Sequence, residues 1–88
     1  MVVPDENTDK IIKDLVGIEV LAVKANESTI IIKTLAGRAH GVGSYLDHLK
    51  SPLVLGTIAG DDTVLVIPSS VLNISTLISY IHKNLSTN

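Results

Sequence analysis

Four apolar runs along the chain have the composition of short β-strands. They are rich in Val, Ile and Leu, and polar turns separate them in pairs. The predicted strands are Ile18–Ala25, Thr29–Thr34, Leu53–Ala59 and Thr63–Ile67. Turns at Asn26–Ser28 and Gly60–Asp62 join them into two hairpins, because Asn, Asp, Ser and Gly favour the backbone conformations of tight turns.

Two other segments have the period of an amphipathic helix. The first covers residues 39–49 and ends before Pro52, and the second begins at residue 74. Their apolar stripes consist of Ala39, Val42, Leu46 and Leu49, and of Ile74, Leu77, Ile78, Ile81 and Leu85. The element order ββαββα predicts an α+β fold, with one four-stranded, mainly antiparallel sheet and two helices on one of its faces.

The segment before the first strand is polar and contains Pro4. Residues 1–14 are therefore predicted to be a linker or a frayed lead-in. A short helix is an alternative there, because the apolar residues at its end have helix-like spacing. These residues are Ile11, Ile12, Leu15 and Val16. The domain itself is predicted to cover residues 15–88.

Two of the predicted strands are apolar at both alternating positions. Ile30-Ile31-Ile32 and Val64–Ile67 offer apolar side chains to both faces of the sheet, whereas a sheet with one wet face alternates. Two helices cover only one face, so the other face is predicted to be buried by another copy of the chain. The alternative is a monomer with a few exposed aliphatic side chains.

Composition and charge narrow the classes of function. The 88 residues are 45% hydrophobic, contain no Cys, and carry a formal net charge of −2 with seven scattered basic residues. A chain without a basic patch is not expected to bind nucleic acid alone. No apolar run approaches the ~20 residues that cross a bilayer. The absence of Cys fits a reducing compartment, so we expect a cytoplasmic protein that does not contact membranes.

Acidic side chains at the second predicted turn are the main candidates for chemistry. Asp61 and Asp62 are adjacent and have no Lys or Arg within several residues along the sequence. With His40 and Asp47 of the first predicted helix, they offer ligands for a divalent metal or carboxylates for a guanidinium fork. No sharp metal-binding spacing and no nucleophile motif is present, so the chain is not predicted to be an enzyme.

The string Gly56-Thr-Ile-Ala-Gly-Asp-Asp-Thr63 closely resembles the C-terminal domain of the bacterial arginine repressors. The agreement at matching spacing also includes Ile32–His40, Val42-Gly43 and Leu46–Leu49. The resemblance runs from about Ile18 to the end of the chain. The sequence departs from the family pattern at Ala36, where members usually have Pro, and at Arg38, where they often have Asn.

The resemblance implies an L-arginine-sensing oligomerisation domain of a transcriptional regulator of arginine metabolism. In that family the domain forms trimers, two trimers stack into a hexamer, and L-arginine binds between the trimers as a corepressor that stabilises the hexamer. Operator DNA is bound through an N-terminal winged-helix domain that this chain lacks. Arginine is an effector ligand, and neither a metal nor another cofactor is implied.

The resemblance also implies a set of arginine-binding residues. The residues at the matching positions are His40, Asp47, Thr57, Ala59, Asp61 and Asp62. The chemistry of L-arginine suits these residues. The pair Asp61 and Asp62 would bind the guanidinium, and Asp47 the ammonium. His40 and backbone N–H groups would bind the carboxylate. Two other hypotheses stay open: a small divalent-metal-dependent hydrolase that uses His40, Asp47, Asp61 and Asp62, and a purely structural trimerisation module.

Overall fold

The computed structural model describes residues 6–85, with side chains described from residue 11 onward. The helices and strands, in chain order, are α1 (Glu6–Ile18), β1 (Val20–Ala25), β2 (Ile30–Thr34), α2 (Ala39–Leu49), β3 (Val54–Ala59), β4 (Thr63–Pro68) and α3 (Ile74–Asn84). A 3-10 turn, Val71–Asn73, precedes α3, and the side chain of Ser70 accepts a hydrogen bond from the Leu72 N–H at its start.

The four strands form one antiparallel sheet with the order β1-β2-β4-β3. The two hairpins, β1–β2 and β3–β4, therefore meet through β2 and β4, which occupy the centre of the sheet. An irregularity in register interrupts each edge strand near its start, between Val20 and Ala22 in β1 and between Val54 and Gly56 in β3. The turn between β3 and β4 lies at the same end of the sheet as the end of β2, because Lys33 pairs with Thr63.

The predicted α+β fold and its ββαββα order are confirmed, with one addition. The structure has a third helix, α1, where a linker or lead-in was predicted, and its apolar residues have the helical spacing noted in the sequence. The sequence predicts that the domain begins at residue 15, which lies inside helix α1. The start of the domain at this residue stays a prediction. Residues 1–5 of the predicted lead-in lie outside the described residues.

The position of Pro68 corrects the predicted end of the last strand. Pro68 is the final residue of β4 and pairs with Val54, whereas the sequence predicted that it would stop the strand one residue earlier. Proline lacks the N–H that a central strand donates to a neighbour. The pairing with β2 already ends at Val66, so β2 does not require a donor from Pro68.

The core lies between the helices and one face of the sheet, which we call the inner face. Its buried residues come from β2, β4, α2, α3 and the residue after α3: Ile30, Ile32, Val64, Val66, Ala39, Val42, Leu46, Leu77, Ile81 and Leu85. Helix α2 lies close to the sheet at Gly43, where a Cβ would be 3.6 Å from atoms of Thr57, Ala59 and Val64. The predicted apolar stripe of α2 is therefore the side that packs on the strands.

The opposite, outer face of the sheet carries a row of mostly apolar side chains. Strand register places Lys24, Ile31, Leu65 and Ile58 side by side across the four strands. Ile31 and Leu65 are half-buried, whereas 67% of Ile58 is exposed on the edge strand. This pattern agrees with burial of the outer face by another copy of the chain, which stays a prediction.

Among the helices of the described residues 6–85, none has the length and the apolar composition that a membrane-spanning helix needs.

We expect the chain to sediment as a trimer or hexamer at micromolar concentration, and Ile58→Glu to shift the distribution toward monomers. A carboxylate buried against an apolar partner surface costs several kcal/mol, so the assembly should weaken while the exposed position preserves the fold. The matched control is Leu72→Glu in the 3-10 turn, where the side chain is 90% exposed and lies off the sheet. A monomeric wild-type chain would contradict the assembly.

Candidate functional site

Backbone hydrogen bonds fix the acidic turn against two other elements. The N–H of Thr34, at the end of β2, donates to the carbonyl of Asp62 at 2.7 Å. The N–H of Ala39, the first residue of α2, donates to the carbonyl of Asp61 at 3.2 Å. The N–H of Gly60 closes the turn on the Thr63 carbonyl at 2.9 Å. The position of the two aspartates is therefore set by main-chain contacts that use neither carboxylate.

The two carboxylates have different surroundings. Asp61 is exposed, and its side chain has no hydrogen bond or ion pair with any residue that the structure describes. Asp62 accepts a hydrogen bond from the Thr63 hydroxyl through Oδ1 at 3.0 Å. The Nζ of Lys33 lies 3.6 Å from the same Oδ1 and donates to the Thr63 hydroxyl at 2.7 Å. Asp62 is thus partly neutralised within its own chain.

Lys33 lies beside the acidic turn, a position that the sequence did not predict. The sequence suggested a turn with no basic residue nearby, since no Lys or Arg lies within several residues of Asp61 or Asp62 along the chain. The fold corrects this expectation, because β2 pairs with β4 and brings Lys33 opposite Thr63. Only a sheet order with β2 beside β4 would have revealed this proximity, and the hairpin pattern alone does not give that order.

Asp47 belongs to a second group of predicted site residues, on the inner side of the sheet. The Thr57 hydroxyl of β3 donates to Asp47 Oδ1 of α2 at 2.8 Å. Beside this bond lies a cleft of about 170 Å³ between the end of α2 and the start of β3, bordered by Asp47, Lys50, Ser51 and Gly56 among others. A small polar group that entered this cleft would meet the Asp47 carboxylate.

His40 and Ala59 lie between these two groups. His40 is exposed in the first turn of α2, directly after the residue whose N–H holds the acidic turn. Seven residues separate it from Asp47, which corresponds to about 10 Å along the helix axis. Ala59 is half-buried under α2, where its Cβ lies 3.6 Å from the Cβ position of Gly43. The predicted residues therefore line one helix and the adjoining hairpin.

The contacts described above place two of the predicted residues, Asp47 and Asp62, on opposite sides of the sheet. Thr57 pairs with buried Val66 and so faces α2, whereas Thr63 pairs with Lys33 on the outer side of the sheet. The bond from Thr63 therefore holds the Asp62 carboxylate toward the outer side, away from Asp47. The cleft beside Asp47 does not include the acidic turn. Within the described residues, Asp47 and the acidic turn are therefore two separate groups.

The described residues contain no group of three or more His, Cys, Asp or Glu side chains arranged to hold a metal ion. His40, Asp47, Asp61 and Asp62, which the hydrolase hypothesis requires as one set, are therefore not brought together as a metal site by a single chain.

Comparison with known proteins identifies the family. The family model described as "Arginine repressor, C-terminal domain" matches residues 17–83. The chain belongs to the arginine repressor family. Arginine repressors are transcription regulators and not enzymes, which agrees with the sequence-based prediction.

Curated arginine repressors are also similar over nearly all of this chain. That of Pelodictyon phaeoclathratiforme is 78% identical over 88 residues, which are 100% of this chain and 60% of that protein. That of Chlorobium chlorochromatii is 79% identical over 86 residues, 98% of this chain and 58% of that protein. That of Chlorobium phaeovibrioides is 71% identical over 84 residues, 96% of this chain and 57% of that protein. The chain thus spans about 60% of the length of these arginine repressors.

Arg38 has an ion-pair partner in the structure. Arg38, at the start of α2, forms an ion pair with Glu19 through its Nε, and the hydrogen bond and negative charge of Glu19 raise the pKa of Arg38. The N–H of Leu35 donates to the Glu19 carbonyl at 2.9 Å, and Gly37 supplies the positive φ of +77° that the intervening loop needs. These contacts join the start of β1 to the loop that precedes α2.

The Asp47–Thr57 hydrogen bond gives a stability prediction for this arginine repressor domain. Thr57→Val keeps the shape of the side chain and removes the donor, so the free energy of unfolding should fall by about 0.5–1.5 kcal/mol. Urea denaturation followed by circular dichroism measures this change. Thr76→Val on the exposed face of α3 is the matched control and should change stability by less than about 0.5 kcal/mol. Equal stability of the two variants would contradict the role of the bond.

Proposed function

We propose that this chain is the L-arginine-sensing oligomerisation domain of a transcriptional regulator of arginine metabolism. The observation that carries the proposal is the acidic turn, whose backbone is fixed by the ends of β2 and α2 while its carboxylates remain exposed. Membership of the arginine repressor family supports the same effector. A preorganised pair of carboxylates binds a cation without first ordering a loop.

The chemistry of the turn suits a guanidinium. A guanidinium is planar and presents a fork of N–H donors, which a carboxylate accepts through two parallel hydrogen bonds. Asp61 has both of its oxygens available for such a pair, and Asp62 has one oxygen outside its contacts with Thr63 and Lys33. An ammonium ligand lacks the fork, so arginine should bind better than lysine.

The separation of the two groups of residues supports a ligand site between copies of the chain. In our proposal the acidic turn receives the guanidinium, while Asp47 receives the α-ammonium and His40 with backbone N–H groups receives the carboxylate. Thr57 and Ala59 line the same site. Because Asp62 is held toward the outer side and Asp47 toward the inner side, two chains contribute to each arginine.

A ligand that contacts two copies links binding to assembly. Trimers held through the outer faces would stack in pairs, and arginine between the trimers would stabilise the hexamer, since a ligand that favours one state shifts the equilibrium toward it. Arginine then acts as the corepressor of a cytoplasmic regulator. Operator DNA would be bound by a part of the regulator outside this chain, in keeping with a net charge of −2 and the absence of a basic patch.

We expect Asp61→Asn and Asp62→Asn each to weaken L-arginine binding by about 10- to 100-fold. A charge-assisted hydrogen bond contributes about 1.5–3 kcal/mol, and Asn cannot replace the charge. The fold should persist, because turns tolerate Asn and because backbone carbonyls hold this turn. Isothermal titration calorimetry with L-arginine measures the affinity, and a thermal melt of each variant checks the fold.

The matched control for these substitutions is Glu27→Gln. Glu27 is an exposed carboxylate in the turn between β1 and β2, at the opposite end of the sheet from the acidic turn. Its loss should leave arginine affinity unchanged. Arginine affinity that is equal in the wild type and in both Asp variants would reject the proposed role of the turn. A trimer that does not respond to arginine at all would favour the structural trimerisation module.

A further inference from the structure

A lysine of the same chain already occupies an ammonium position beside the acidic turn. The Nζ of Lys33 lies 2.7 Å from the Thr63 hydroxyl and 3.6 Å from Asp62 Oδ1. Thr63 in turn donates to that Oδ1 at 3.0 Å, so the three side chains form a closed set of polar contacts. In the single chain the side chains of Lys33 and Asp62 are 41% and 53% exposed.

The geometry defines which cations this part of the turn is able to accept. The position between the Thr63 hydroxyl and Asp62 Oδ1 suits a compact ammonium, which interacts as a point charge with several donors. Lys33 fills this position from within the chain. A ligand whose side chain ends in an ammonium must displace Lys33 or bind elsewhere against its positive charge. Lys33 lowers the affinity of a guanidinium less than that of an ammonium, because the guanidinium fork binds the oxygens of Asp61 and Asp62 that have no hydrogen bond or ion pair among the described residues.

We propose that Lys33 is a specificity-determining residue that excludes ammonium-bearing side chains, such as that of lysine, from the acidic turn. The inference rests on the proposed binding of arginine at this turn and adds the reason for discrimination among basic amino acids. Lys33 occupies the position that a ligand ammonium prefers and offsets part of the negative charge of Asp62. Both oxygens of Asp61 and one oxygen of Asp62 then remain for a planar fork.

Lys33→Met tests this role, because Met keeps an unbranched stem of similar length and removes the ammonium. Thr63 still donates to Asp62 in this variant, so the carboxylate keeps its orientation. We expect the lysine affinity to rise and the arginine affinity to change less. The ratio of arginine to lysine affinity should therefore fall by about two- to fivefold, as expected for an ammonium that gains an exposed charged partner. Isothermal titration calorimetry with L-arginine and L-lysine measures both affinities.

Two further variants keep the test specific. Lys33→Gln also removes the charge, and it should lower the ratio even if Met disturbs the outer face. Lys24→Met is the matched control. Lys24 lies on the same face of the sheet as Lys33, but it pairs with Ile31, whereas Lys33 pairs with Thr63. The ratio in this control should equal that of the wild type. Melting temperatures of all variants verify that the fold is intact.

The wild-type titration separates the two ways in which the inference can fail. If the wild-type chain binds no arginine, the proposed function is wrong, and the role of Lys33 falls with it. If the wild type prefers arginine and both Lys33 variants keep the wild-type ratio, the function stands and the role of Lys33 is overturned. A ratio that rises in the Lys33 variants would overturn it as well.

Discussion

The two hydrogen bonds from Thr34 and Ala39 to the carbonyls of the acidic turn are the constraint on which the proposed function depends. They hold the β3–β4 turn against the end of β2 and the start of α2, two neighbouring segments that lie more than 20 residues earlier in the sequence. Because the main chain supplies these bonds, they do not use the carboxylates of the two aspartates. An acidic turn without these bonds would lose conformational entropy on binding, and its affinity would fall accordingly.

The same end of the sheet contains a further set of fixed charges. Arg38 pairs with Glu19 at the start of α2, and Lys33 pairs with Asp62 on the outer side of β2. Both cations already have a carboxylate partner in their own chain, and Asp61 does not have a cationic partner among the described residues. The surface therefore presents the Asp61 carboxylate, which has no cationic partner among the described residues, beside the partly neutralised Asp62 carboxylate. This asymmetry favours one cationic ligand of defined shape.

The sequence predicts the strands and helices well, because their apolar positions follow the periods of two and 3.6 residues that packing on one core imposes. It also predicts the turn with Asp61 and Asp62 from composition alone. It does not predict the ion pair of Lys33, because that contact depends on which strands are neighbours. The sequence predicts a linker or lead-in where α1 forms, with a helix only as the alternative, because a polar amphipathic segment gains most of its helical stability from packing that the sequence does not specify.

Analytical ultracentrifugation of dilute chain with L-arginine, L-lysine or L-citrulline tests the central claim most directly. If arginine bridges two trimers, its guanidinium replaces repulsion between facing carboxylates with attraction, so arginine should shift trimers to hexamers. Lysine should have a much smaller effect, and citrulline, whose urea group is neutral, the smallest. Arginine that binds by calorimetry yet leaves the trimer–hexamer distribution unchanged would contradict a site between trimers.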